Sequence, residues 1–104
     1  MHTASGFIRS ASSGTKFTAS FTIDDLLYTF AGSLSPSVQS FESNNATLEY
    51  NSVGQLTTTR TFEGKIGTKA INISLGNGPK IEGPLDMPIS PASTIDGSGT
   101  WTQN

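Results

Sequence analysis

Carboxylates and a lone histidine are the first residues in this sequence to consider as chemical groups. The only adjacent carboxylates are Asp24 and Asp25, and paired carboxylates can transfer protons or bind a hard cation. Their neighbours Ile23 and Leu26 add no side-chain oxygen, so we interpret the pair as a hairpin turn. His2 is the only histidine and lies at a terminus, where it supplies neither a reliable catalytic triad nor a multi-histidine metal site.

Cofactor and metal chemistry have little support in the remaining residue types. The absence of cysteine excludes disulfides, thiolate metal ligands and a cysteine nucleophile. Residues 76–80 have the glycines of an anion-binding loop, but they lack the P-loop spacing and a following helix. We interpret this segment as another hairpin turn, and we assign no cofactor and no metal to the chain.

Arg60 lies in a threonine-rich run that favours extended backbone, because β-branched side chains restrict the helix. If Leu56 and Phe62 face the core, Arg60 shares their face, and its guanidinium needs an anionic ligand or a carboxylate such as Glu49 or Glu63. Alternatively, the neighbouring threonines point inward, or a β-bulge after Arg60 changes which residues face the core. We favour this alternative and keep Arg60 as a candidate ligand-binding residue.

Aromatic side chains offer a second route to ligand binding, since they line many ligand pockets. In a small β protein most of the nine aromatic residues are expected in the core. Tyr50 and Trp101 are the two we select as exceptions, because each lies beside polar residues and a glycine or asparagine of a predicted turn. Tyr50, Trp101 and Arg60 therefore form the predicted ligand-binding set.

Short strands must position these residues. Residues 16–23 and 26–33 alternate apolar and polar side chains on both sides of the two aspartates, which predicts a β-hairpin. A second hairpin is predicted from residues 46–51 with 55–63, while the segment between the two hairpins stays ambiguous. No stretch shows the apolar period of an α-helix.

Further turns follow in the second half of the chain. Gly64 and Gly67 flank a third reversal before the alternating run 69–75, and prolines make residues 80–89 an edge or bulged strand. A loop and a final strand, residues 94–103, end the chain. About seven or eight short strands predict an all-β fold, either an antiparallel β-sandwich or a small β-barrel. Pairing of the first and last strands would close such a barrel.

Size and composition limit the domain organisation and the partners. Residues 1–104 are too few for two independent cores, so we expect one domain. The net charge is −2 and the six basic residues are scattered, which disfavours nucleic acid as a partner. No apolar run is long enough to span a bilayer, and the N-terminus has no signal-peptide pattern. We expect a soluble chain that is cytoplasmic, exported by another route, or a mature form without its leader.

Three hypotheses for function follow from these observations. The first is a non-catalytic binding domain for a carbohydrate or a small apolar ligand. The second is a structural protein that forms a homo-oligomer through strand edges and apolar patches, since threonine, alanine and Leu27 rather than charged residues occupy the second face of the strands. The third is a small barrel enzyme with an internal site built from Arg60 and a carboxylate, ranked last because small barrels are filled by their own side chains.

Overall fold

A computed structural model describes residues 2–11, 15–35 and 38–103. These residues form β-strands and one turn of 3-10 helix between the fourth and fifth strands, at Val53–Gln55. The strands are β1 (His2–Ser10), β2 (Lys16–Ile23), β3 (Leu26–Ser35), β4 (Glu42–Tyr50), β5 (Thr59–Leu75) and β6 (Lys80–Gln103). Within these ranges, no helix has the length and apolar character needed to cross a bilayer.

The predicted all-β antiparallel fold is confirmed, but the predicted number of strands is wrong. The described part of the chain has six strands because β5 and β6 each remain one continuous strand at Gly64–Gly67 and in residues 90–93, although β5 does reverse its direction where the sequence predicts it. The hairpin between β2 and β3 is confirmed, with eight consecutive residue pairs from Ile23 and Leu26 to Lys16 and Ser33. Asp24 and Asp25 form the two-residue turn of this hairpin, and both have the positive φ that such a turn requires, at 51° and 67°.

The sheet closes into a ring through β6. Strand order is β3-β2-β1-β4-β6-β5, and β3 also pairs with β6, from Tyr28 opposite Gln103 to Ser35 opposite Asp96. β6 is 24 residues long, so its beginning pairs with β4 and its end with β3. The predicted pairing of the first and last strands is wrong, because β1 lies between β2 and β4.

β5 folds back on itself near Gly67, which has a φ of 108°. The register with β6 shifts on both sides of Thr68, and the amide of Gly76 donates a hydrogen bond to the carbonyl oxygen of Thr61 at 2.8 Å. Gly64 faces the backbone of Asn72, so the two halves of β5 lie side by side. The long strands β5 and β6 therefore each supply two segments to the wall of the barrel.

The predicted hairpin of residues 46–51 with 55–63 is wrong. β4 pairs with β1 and β6, whereas β5 pairs with β6 alone among the other strands described. The chain between β4 and β5 instead crosses one end of the barrel, where Leu56 is buried. Residues 51–54 do carry a turn signal, but the strands before and after them, β4 and β5, do not pair with each other.

Aromatic rings fill the interior of the barrel. The ring centroids of Phe17, Phe30 and Phe62 lie 5.3 to 6.0 Å from one another, and the Trp101 ring lies 5.0 Å from Phe30. Isoleucine and leucine side chains that alternate with exposed residues complete the core. The interior is thus occupied by the protein's own side chains, as expected for a barrel of this size.

Gly97 lies where the ring closes between β3 and β6, and its neighbours leave no room for a side chain. It pairs with Leu34 on one side and with Phe62 on the other, and its φ is 156°. A Cβ atom at this position would overlap the carbonyl oxygen of Ser33. The closure of the barrel therefore requires a glycine at position 97.

We expect Gly97→Ala to lower the free energy of unfolding by about 2–3 kcal/mol, because the added methyl group separates β3 from β6. Urea denaturation followed by circular dichroism measures this change. Gly54→Ala is the matched control, since the nearest atom to its added Cβ is the Ser52 hydroxyl at 3.7 Å. Equal stability of the two variants would contradict the role of Gly97 in closure.

Candidate functional site

One end of the barrel is covered by residues 51–58, and we call it the capped end. This segment is attached to the β5–β6 turn by two hydrogen bonds: Asn77 Nδ2 donates to the Gln55 carbonyl at 3.0 Å, and Gln55 Nε2 donates to the Asn77 carbonyl at 2.9 Å. The amide of Trp101 donates to the carbonyl of Thr58 at 3.0 Å. The cap is therefore fixed to both long strands.

The three predicted ligand-binding residues all lie at this capped end. Tyr50 ends β4 just before the cap, Arg60 follows it at the start of β5, and Trp101 bonds to its last residue. They do not share one cleft, because the cleft beside Tyr50 is lined by neither Arg60 nor Trp101.

The Tyr50 side chain is 8% exposed, and its ring centroid lies 5.4 Å from that of His2 on β1. It borders a cleft of about 190 Å³, which we call the Tyr50 cleft. The cleft is lined by Glu49, Tyr50, Asn51, Gly78 and Lys80. Because Glu49 and Lys80 are opposite each other in the β4–β6 register, this cleft has one anionic and one cationic group. Ligand binding by Tyr50 stays a prediction.

The Trp101 ring lies in the core and is 5% exposed. Its indole Nε1 is buried, and no described group accepts a hydrogen bond from it. Thr100 and Thr102 are exposed on either side, so the alternation of β6 turns the indole inward. In the structure Trp101 packs on Phe30, and ligand binding by Trp101 stays a prediction.

Arg60 shares the inward face of β5 with Phe62, as in the first of the two interpretations of the sequence. Thr59 and Thr61 are exposed, and the register with β6 runs without a shift from Arg60 to Phe62. The interpretation we favoured from the sequence, with inward threonines or a bulge after Arg60, is therefore wrong. Arg60 lies close to the end of its strand and is half-buried.

The guanidinium of Arg60 binds the cap rather than a carboxylate. Its Nε donates a hydrogen bond to the carbonyl of Thr57 at 3.0 Å. Within the described ranges no salt bridge joins Arg60 to Glu49 or Glu63, the two partners considered from the sequence. Arg60 therefore helps to attach the cap to β5.

A larger cleft lies on the outer face of β5 and β6 and was not predicted. Its volume is about 600 Å³, and we call it the carboxylate cleft. The cleft is lined by Thr61, Phe62, Glu63, Ser74, Leu75, Gly76, Asp96 and Gly97. Glu63 and Asp96 are directly opposite each other in the β5–β6 register, and both are exposed. Like charges at such opposite positions destabilise a sheet, so this pair is not explained by stability.

The sequence offers no local signal for the carboxylate cleft. Glu63 and Asp96 meet through the register of β5 with β6, and Ser74 joins them because β5 folds back on itself. In the described part of the chain, no salt bridge neutralises either carboxylate. Their oxygens therefore remain available as hydrogen-bond acceptors.

No protein-family model, curated protein or solved structure matches the chain. Within the described ranges, no three histidine, cysteine, aspartate or glutamate side chains are grouped so that they could hold a metal ion. Any assignment of function therefore depends on the geometry of the clefts.

We expect Arg60→Ala to lower the free energy of unfolding by only about 1 kcal/mol, because its guanidinium forms a solvent-exposed hydrogen bond to a backbone carbonyl. If the guanidinium were buried and paired with a carboxylate, the same substitution would cost about 3–5 kcal/mol, because it would leave the carboxylate buried without a partner. Urea denaturation separates the two values. Trp101→Ala is the control for a core loss in the same region, and we expect it to cost about 3–5 kcal/mol.

Proposed function

We propose that the chain is a non-catalytic binding domain for a carbohydrate and that the carboxylate cleft is its site. The observation that carries the proposal is the opposed pair of exposed carboxylates, Glu63 and Asp96, in a cleft that Thr61 and Ser74 also line. Carboxylate oxygens accept hydrogen bonds from sugar hydroxyls, and threonine and serine hydroxyls both donate and accept. A cleft of about 600 Å³ lies within the usual range for small-ligand sites.

A carbohydrate is favoured over a small apolar ligand by the contents of the barrel. The Phe17, Phe30 and Phe62 rings pack against one another in the interior, where an apolar ligand would have to bind. The carboxylate cleft lies on the outer face, and its polar lining groups are two carboxylates and two hydroxyls. These groups suit a ligand that remains partly hydrated.

Catalysis by an internal arginine and carboxylate has less support. Arg60 lies near the capped end and donates to the Thr57 carbonyl. In the described ranges it forms no ion pair with Glu49 or Glu63. A binding role does not need such a pair, because affinity for a sugar comes from hydrogen bonds that the cleft residues supply directly.

A glycan array probed with the fluorescently labelled chain tests the proposal, and isothermal titration with a bound glycan quantifies it. We expect Glu63→Gln with Asp96→Asn to weaken binding by at least about tenfold, because each change weakens a charge-assisted hydrogen bond. Asp25→Asn, the same kind of change at the distant β2–β3 turn, should bind like the unmodified chain. Binding of no glycan, unchanged binding by the double variant, or hydrolysis of the bound glycan would each overturn the proposal.

Self-association is the second candidate function, supported by one surface. Thr18, Ala31, Thr100 and Thr59 form a row of exposed residues on four neighbouring strand segments, and none of them is charged. Ser33 and Ser98 extend this row toward the other end of the barrel. We call these six residues the hydroxyl face. An uncharged face can pack against a second copy of itself without burying unpaired charges.

Light scattering coupled to size-exclusion chromatography distinguishes self-association from the carbohydrate proposal. We expect a monomer of 10.9 kDa, because the hydroxyl face lacks the large apolar side chains that dominate stable interfaces. A concentration-independent oligomer would favour assembly instead. In that case Ala31→Arg should dissociate it, whereas Ala70→Arg, at an exposed alanine outside the face, should not.

A further inference from the structure

We propose that the ligand is an extended oligosaccharide that crosses the β5–β6 turn and contacts both the carboxylate cleft and the Tyr50 cleft. The inference rests on the proposed function and names the class of carbohydrate that the site takes.

The two clefts lie on opposite sides of the same hairpin end. Ser74 and Gly76 line the carboxylate cleft, whereas Gly78 and Lys80 line the Tyr50 cleft. Ser74 is opposite Lys80 in the β5–β6 register, and Lys80 is opposite Glu49 in the β4–β6 register. A row of polar side chains therefore leads from one cleft to the other. From Glu63, beside Ser74 where β5 folds back, the row crosses two strand spacings to Lys80 in the Tyr50 cleft, which amounts to about 10 Å.

The turn between the clefts presents no side chain that would block a ligand. Gly76 and Gly78 have no side chains, and Pro79 is buried. The Asn77 side chain points into the cap, where its Nδ2 donates to the Gln55 carbonyl at 3.0 Å and its Oδ1 is buried. The Gln55 side chain of the cap lies against Gly78 and donates to the Asn77 carbonyl, so a ligand crosses this hairpin end on its outer side, over Ser74 and Lys80.

The two clefts offer complementary sets of hydrogen-bonding groups. The carboxylate cleft offers acceptors from Glu63 and Asp96, whereas the Tyr50 cleft combines the Lys80 ammonium with the Asn51 amide and the Glu49 carboxylate. Sugar hydroxyls both donate and accept, so a chain of sugars satisfies both clefts. The Tyr50 cleft, at about 190 Å³, is small for a ligand of its own and fits a second subsite better.

Two subsites joined by one ligand predict that affinity depends on chain length. Once one sugar occupies the carboxylate cleft, a second sugar on the same chain reaches the Tyr50 cleft at a high effective concentration. A saccharide too short to cover about 10 Å gains nothing from this effect. Affinity should therefore rise at the length that spans the turn and then stay constant.

Isothermal titration with cello-, chito- and malto-oligosaccharides, from monosaccharide to hexasaccharide, tests this dependence. We expect at least one series to bind about tenfold more tightly once its members span both clefts. Asn51→Ala with Lys80→Met should abolish this gain and leave the affinity for short members unchanged. Lys69→Met, at an exposed lysine outside both clefts, is the matched control.

Glu63→Gln separates failure of the inference from failure of the proposed function. We expect it to weaken short and long saccharides by the same factor. Equal affinity at all lengths, with Glu63→Gln still weakening binding, would overturn the two-subsite inference and leave the carbohydrate proposal standing. Loss of the length-dependent gain in Lys69→Met would also overturn the inference. Binding of no saccharide in any series would overturn both.

Discussion

Pairing of β3 with the end of β6 is the interaction on which the rest of this structure depends. Eight consecutive residue pairs, from Tyr28 with Gln103 to Ser35 with Asp96, join the two strands. They convert an open sheet into a ring and cover edges that would otherwise be free to pair with other chains. The pairing is possible because β6 is long enough to leave β4 and reach β3, and because Gly97 allows the two backbones to approach.

Closure of the barrel also limits where a ligand can bind. The phenylalanine rings and Trp101 fill the interior, so a ligand site has to lie on the outer wall or at an end. The capped end combines both locations, because the cap, the β5–β6 turn and the outward residues of β5 meet there. Groups that are far apart in the chain, such as Glu63 and Asp96, are brought together by strand register alone.

Sequence reasoning succeeded where the signal is local and failed where it depends on pairing. The alternation of residues 16–23 and the two aspartates after them predict the β2–β3 hairpin, because the apolar–polar alternation and the turn residues lie in one short segment. The segment between β4 and β5 carries an equally clear turn signal, yet its flanking strands pair elsewhere. Arg60 was placed on the wrong face for the same reason, since the register with the partner strand decides which residues of a strand face the core.

Composition and alternation by themselves determined that this chain is one antiparallel β domain with apolar residues inside. Successive side chains of a strand point to opposite faces, and the apolar ones are driven out of water, so the alternation alone indicates which face is buried. Composition and alternation also marked Tyr50, Trp101 and Arg60, which the fold places at one end of the barrel. Only the tertiary structure decided that Trp101 faces the core, that Arg60 binds the cap, and that Glu63, Ser74 and Asp96 line one cleft. Those outcomes depend on contacts between distant strands, which no local pattern specifies.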